Sequence, residues 1–335
     1  MTQAAAALIE VKGASKRFVK SLDIADRLVN RFGGKASEQV VRAVDGVNLA
    51  IASGEVVGLV GESGCGKSTL GRLVLGLMPM TEGERYWKGV PIASLDDIEK
   101  RKLQLRMQMV FQDPYSSLNP RLRVTNIVGE APVAHGLVPR KQRDEYVSEQ
   151  LSRVGLDPAL MRRFPHQFSG GQRARIGIAR ALAVNPELLV CDESVAALDV
   201  SIQAQVINLF LDLRAQLNLT YLFISHDLGV VQHISDRIVI MYLGRVVETG
   251  PVDDIFAQPN HPYTVALLSE MGRATAEKRE YIPIKGEIPS PLNPPAGCYF
   301  HPRCPHAMPI CLEQAPVLKS IASGRLSACH LNDMG

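Results

Sequence analysis

An α/β fold with a largely parallel sheet covered on both faces is predicted by three features of the sequence. Short β-type runs alternate with amphipathic helical stretches through most of the chain. A glycine-rich segment, Gly61-Glu62-Ser63-Gly64-Cys65-Gly66-Lys67-Ser68-Thr69, follows an apolar strand and opens a helix. A second apolar strand, Leu188-Leu189-Val190-Cys191-Asp192, ends on two adjacent acids, Asp192 and Glu193.

At 335 residues and 46% hydrophobic, the chain can bury one large core and carry an appendage. A net charge of +3 implies neither a nucleic-acid partner nor an anionic membrane surface. Met1–Glu10 lacks the basic flank and long apolar run of a signal peptide, so export is not expected. No window approaches the roughly 18 to 20 apolar residues needed to cross a bilayer, so a membrane role would run through a partner.

The elements follow in order. Leu8–Val11, Val40–Val44, Val47–Ile51 and Val56–Val60 read as strands, and the polar stretch 19–39, with Gly33-Gly34, as an insertion. Ser68–Leu77 is helical. Residues 113–168 combine helix formers with six prolines from Pro114 to Pro165, the composition of an inserted helical lobe. Then come a helix over Gln172–Val184, the strand Leu188–Asp192, and a helix over Ile202–Leu217 with an apolar stripe of Ile202, Val206, Leu209, Leu213 and Leu217. Strand Tyr221–Ile224 runs into Ser225-His226-Asp227, and two short strands follow at Ile238–Leu243 and Arg245–Glu248. Pro283, Pro289, Pro291, Pro294 and Pro295 stiffen the chain before a cysteine-rich end. The expected organisation is a domain over 1–272, a linker over 273–297 and a C-terminal extension over 298–335.

In Gly61–Thr69 the glycines let backbone N–H groups converge on phosphate oxygens at a helix N-terminus. Lys67 would neutralise β and γ phosphates, and the Ser68 hydroxyl would ligate magnesium. Asp192 would hold the metal's water shell, and Glu193 would polarise the attacking water. Taken alone, an Asp-Glu pair after a strand is usually a solvated turn; beside a phosphate loop it gains a role. Phe168-Ser169-Gly170-Gly171-Gln172 offers a second anion-binding helix start. One nucleotide rarely needs two phosphate cradles, which suggests that this one serves the nucleotide of a second subunit.

With Ser169-Gly170-Gly171-Gln172 standing about twenty residues before the acidic strand, the chain resembles the ABC ATPases, the phosphate-loop NTPases with an antiparallel β subdomain and a helical subdomain. The resemblance implies that Gly61, Ser63, Gly64, Cys65, Gly66, Lys67, Ser68 and Thr69 bind ATP and that Ser68, Gln112 and Asp192 serve magnesium. It implies that Glu193, Gln112 and the switch residue His226 carry catalysis. Ser169, Gly170, Gly171 and Gln172 would contact the partner's ATP, Asp199 in Ala197-Leu198-Asp199 would lie at the dimer loop, and Phe18 would stack on adenine. The chain departs from the family at Ser194, where proline is usual, and at Ala196, where serine is common.

A narrower resemblance points to the second, "F"-type, ATPase subunit of dipeptide and oligopeptide importers. It is carried by Phe111–Pro120, His261-Pro262-Tyr263-Thr264 and Pro289–Cys298. That implies ATP-driven peptide import, a second ATPase subunit, two permease subunits, an extracytoplasmic binding protein, and a place on the cytoplasmic face of the membrane. Relatives also move glutathione, nickel chelates or sugars, and a soluble ABC ATPase of translation or DNA repair is the reading from another class.

Cys298, Cys304, Cys311 and Cys329 follow one another at intervals of six, seven and eighteen. They could converge on one soft metal or stay reduced structural thiols. Resemblance to the same importer subunits implies a 4Fe-4S cluster on these four, with zinc as the alternative; His301, His306 and His330 are expected on the surface.

Overall fold

A computed structural model describes residues 7–20, 39–113, 115–271, 284 and 286–333. Residues 21–38 of the expected insertion, Pro114, and residues 273–283 and 285 of the expected linker lie outside the described residues.

The amino-terminal elements are β1 (Ala7–Lys20), β2 (Gln39–Ala52), β3 (Val56–Val60), α1 (Lys67–Leu75), β4 (Glu82–Trp87), β5 (Val90–Pro91), α2 (Asp97–Arg106) and β6 (Met107–Val110). The helical stretch follows with α3 (Val124–Ala134), α4 (Arg143–Arg153) and α5 (Gly170–Leu182). Next come β7 (Leu188–Asp192), α6 (Val200–Leu217), β8 (Thr220–Ile224), α7 (Leu228–Ile234), β9 (Arg237–Tyr242) and β10 (Arg245–Pro251). Helices α8 (Val252–Ala257), α9 (Pro262–Ser269) and α10 (Pro309–Glu313) and strands β11 (Lys319–Ala322) and β12 (Arg325–Ser327) complete the order.

The chain divides into two compact units, Met1–Glu10, Ala50–Leu59 and Tyr86–Arg237 in one and Val11–Leu49, Val60–Arg85 and Ile238–Gly335 in the other. In the first, β3, β8, β7 and β6 lie side by side and parallel, with Leu59 opposite Ile224, Ile224 opposite Asp192, and Cys191 opposite Val110. Every residue of β3, β7 and β8 is buried, as a parallel sheet covered on both faces requires. Parallel registry brings the carboxyl ends of these strands to one edge, where α/β sheets place their chemistry. Phe210 of α6 meets the edges of Tyr221 and Phe223 at centroid distances of 5.6 and 5.9 Å. The predicted stripe of α6 holds at Val206, Leu209 and Leu213, but Leu217 is exposed and the fully buried Phe210 was not in it. The helical lobe is present as α3 and α4, with Pro132 inside α3.

In the second unit β9, β10, β12 and β11 are neighbours, with Glu248 opposite Ser327 and Thr249 opposite Leu326. The cysteine-rich end is thus knitted by β12 to a strand near residue 248. Buried Glu248 is satisfied by the backbone N–H groups of Asn260 and His261, at 3.0 and 2.8 Å, and by Arg325 at 3.3 Å.

His261 caps α9, its Nδ1 accepting from the N–H of Tyr263 at 3.1 Å. Burial lowers its pKa from 6.5 to about 4. The unfolded chain therefore takes up this proton first, so the contribution is complete above pH 6.5 and is lost as pH falls towards 4, in total about 3 kcal/mol. Thermal melts at stepped pH should show the gap between wild type and His261→Asn narrowing across that window; a constant gap would contradict it.

Two expected strands, Val40–Val44 and Val47–Ile51, are one strand, β2, which continues through Gly46 at φ 66°. Strands β4 and β6 and helix α2 were not anticipated. Helix α2 buries only Leu103 and begins at an Asp96–Glu99 capping box, so its sequence carries a start signal but no apolar period.

Candidate nucleotide and thiol sites

The phosphate loop belongs to the second unit. Gly66 caps α1 at φ 106°, and its carbonyl accepts from the N–H of Leu70 at 2.9 Å. A Cβ on Gly66 would run into the carbonyl oxygen of Ala43, and one on Gly61 into that of Met241. Backbone therefore walls the loop on two sides, which only glycine permits. Lys67 is 5% exposed, its ammonium donating to the carbonyls of Gly61 at 2.8 Å and Glu62 at 3.0 Å. Ser68 and Thr69 lie in the first turn of α1, while Ser63 and Gly64 are exposed at the tip. Cys65 is buried, and burial raises its thiol pKa, so it packs rather than reacts.

The acidic group belongs to the first unit. Asp192 ends β7 and is 3% exposed. Glu193 follows at φ 47°, a left-handed conformation unusual for a side-chain-bearing residue and frequent at functional sites. Its Oε2 accepts from Gln112 Nε2 at 2.6 Å, and its Oε1 lies 3.5 Å from His226 Nδ1. These residues come from three adjacent parallel strands: Gln112 stands two residues beyond β6, Glu193 one beyond β7 and His226 two beyond β8. Residues 81 and 33 apart in sequence thus meet at one carboxylate. The turn after Glu193 is closed by the Ala196 N–H donating to the Glu193 carbonyl at 3.1 Å, with Ser194 buried in the position where the family has proline.

Ser169 caps α5 in a reciprocal box with Gln172: Ser169 Oγ accepts from the Gln172 N–H at 3.3 Å, and Gln172 Oε1 accepts from the Ser169 N–H at 3.0 Å. A Cβ on Gly171 would strike Ile202, and one on Gly170 would come within 3.7 Å of Leu198. The signature and the Ala197-Leu198-Asp199 loop are therefore packed together in the first unit, with Asp199 at the N-cap position of α6 but making no side-chain cap hydrogen bond. Phe18 lies on β1, 40% exposed, with the Lys16 ammonium 5.4 Å from its ring centre.

A family model described as "ABC transporter" matches residues 44–196, and one described as "Oligopeptide/dipeptide transporter, C-terminal region" matches 247–311. The oligopeptide transport ATP-binding protein AppF of Bacillus subtilis is 54% identical, across 87% of this chain and 90% of its own length. The chain belongs to the family of ABC-type oligopeptide/dipeptide transport ATP-binding proteins. The dipeptide transport ATP-binding protein DppF of Haemophilus influenzae is 48% identical over 88% of this chain and 90% of its own. Among solved structures, the ATP-binding cassette MJ0796, a dimer in a post-hydrolysis state bound to ADP and Pi, matches with a TM-score of 0.61 and 29% identity, covering 73% of this chain and 98% of that one. This ABC-family chain is accordingly an ATPase with the ABC cassette fold. Among its described residues no helix is long and apolar enough to cross a membrane.

The C-terminal part of the chain brings Cys298, Cys304, Cys311 and Cys329 to the walls of one narrow cavity, all as free thiols. The Cys298 N–H donates to the Cys311 carbonyl at 2.8 Å. Burial raises the pKa of Cys298, Cys304 and Cys329, and neighbouring thiols of the set push each further up. No group of three or more His, Cys, Asp or Glu among the described residues is set to hold a metal ion, so the expected 4Fe-4S or zinc site is not shown. His330 departs from expectation: it is buried, with Nε2 2.9 Å from the Gln314 carbonyl.

Two residues that no nucleotide motif of the sequence singles out also meet the phosphate loop. The Tyr263 hydroxyl accepts from the Glu62 N–H at 2.9 Å, and Arg303 pairs with the Glu62 carboxylate at 2.7 and 2.9 Å. Tyr263 lies within a motif noted only as a family marker; Arg303 is 241 residues from Glu62, and no local pattern announces it.

Proposed function

We propose that this chain is the ATP-hydrolysing subunit of a bacterial-type peptide importer, working at the cytoplasmic face of the membrane beside a second, similar ATPase and beneath two permease subunits fed by an extracytoplasmic binding protein. The observation that carries the chemistry is the Glu193 carboxylate held by Gln112 with His226 at its other oxygen. The names of the relatives, one for oligopeptide and one for dipeptide transport, support peptide as the cargo.

In this reading the loop 61–69 cradles the ATP phosphates with its backbone N–H groups, and Lys67 exchanges its two carbonyl partners for phosphate oxygens. Ser68, Gln112 and buried Asp192 suit magnesium, which when bound would neutralise charge on the phosphates. Glu193 takes the proton of the attacking water, oriented by Gln112 and His226. Ser169, Gly170, Gly171 and Gln172 present a helix N-terminus to the nucleotide of the partner ATPase, with Asp199 beside that interface. Phe18 offers an exposed ring for adenine.

The four C-terminal thiols are proposed as ligands of a 4Fe-4S cluster. Four free thiols lining one cavity supply the donor type that such a cluster takes, which supports this reading.

Anaerobic affinity purification of the tagged full chain from membranes tests both parts. Permease subunits and a second ATPase should co-purify, with about four irons per chain. A partner-free chain would overturn the transport role, and stoichiometric zinc without iron would overturn the cluster.

A further inference from the structure

We propose that Arg303 is a positioning residue for the phosphate loop: from the C-terminal segment it clamps Glu62, the loop's second residue, and cancels its charge so that the loop can receive a polyanion. This rests on the reading of loop 61–69 as the ATP-phosphate cradle.

A carboxylate inside a loop that binds a triphosphate is an electrostatic liability, because like charges at close range repel strongly where water is partly excluded. Glu62 is such a group, and its side chain is only 20% exposed. Arg303 meets it with both terminal nitrogens, Nη1 to Oε2 at 2.7 Å and Nη2 to Oε1 at 2.9 Å, the fork-on-carboxylate geometry that lysine cannot reproduce. The guanidinium side chain is 6% exposed, and Glu62 holds it the more firmly protonated.

The clamp is itself fixed. Arg303 ends the turn His301–Arg303, its N–H donating to the Phe300 carbonyl at 3.0 Å, and its Nη1 also reaches the Tyr242 hydroxyl at 3.3 Å. Phe300 stands edge-on to Tyr242 at 5.2 Å and 5.4 Å from Tyr263, whose hydroxyl takes the Glu62 N–H. The same Glu62 offers its carbonyl to the Lys67 ammonium. A rigid aromatic group therefore sets the backbone and side chain of the residue that orients the phosphate-binding lysine.

Charge rescue separates the two roles. Equilibrium MgATP binding to the purified full-length chain should weaken about tenfold in Arg303→Met, which leaves the Glu62 carboxylate bare. In Glu62→Gln/Arg303→Met it should recover to within about threefold of wild type, because the repelling charge is gone. Failure of Arg303→Met to weaken binding, or a double variant as weak as the single, would overturn the proposal. Where Arg303→Met does not fold, Arg303→Lys decides: it keeps the charge but not the fork, and about threefold weaker binding supports the clamp, whereas unchanged binding overturns it. Lys67→Ala tests the underlying reading by itself, since a chain that still binds MgATP without Lys67 would disqualify loop 61–69 as the cradle.

Discussion

Replacing Glu193 by glutamine should lower steady-state ATP turnover at least about 100-fold while MgATP affinity stays within about threefold. The substitution keeps the shape and the oxygen that accepts from Gln112 Nε2 at 2.6 Å, so the constellation can still form. It removes the group able to accept a proton. Position matters as well as chemistry: Glu193 sits at φ 47°, its N–H donating to the Ile224 carbonyl at 3.0 Å, so the backbone is pinned before the side chain turns to Gln112 and His226. Glutamine tolerates that φ no worse than glutamate, and melting temperature should hardly change. Phosphate-release assays beside equilibrium binding measure the two effects, and undiminished turnover would remove Glu193 as the group that acts on water.

Much of this constellation was legible in the sequence because strand ends are marked by local chemistry. The wholly buried strand Leu188–Asp192 reads as an apolar run closed by two acids, and its boundaries coincide with β7. Motif order then gave Gln112 and His226. Their meeting at Glu193 depends on β6, β7 and β8 being adjacent and parallel, which pairs residues no local pattern connects. Polar elements such as β4, with a single buried residue, and α2, with Leu103 alone inside, left no periodic trace. The Glu62–Arg303 pair was hidden for another reason: isolated charged residues are mostly solvated surface, and only tertiary structure shows that this one is buried. The cysteine spacing gave four thiols on one cavity, but spacing carries no distances, and it could not say whether they would stand around a single ion.

Gly66→Ala should abolish measurable nucleotide binding, weakening MgATP affinity by more than about 100-fold, whereas Gly64→Ala should weaken it far less. Both glycines have positive φ, 106° at Gly66 and 78° at Gly64, so each alanine carries a backbone penalty of about 1 kcal/mol or more. Only at Gly66 is that penalty joined by a collision: the added methyl would overlap the Ala43 carbonyl oxygen, while at Gly64 nothing lies within 4 Å. A clash with backbone cannot be relieved by rotating a side chain, so either β2 or the start of α1 must move. The start of α1 carries Lys67 and Ser68, and a displacement of about 1 Å is enough to spoil a preorganised polar site. Comparing the two alanine variants by equilibrium binding and thermal melting distinguishes loop geometry from glycine content. Equal losses at both positions would show that positive φ alone matters, and that the wall formed by Ala43 does not shape the cradle.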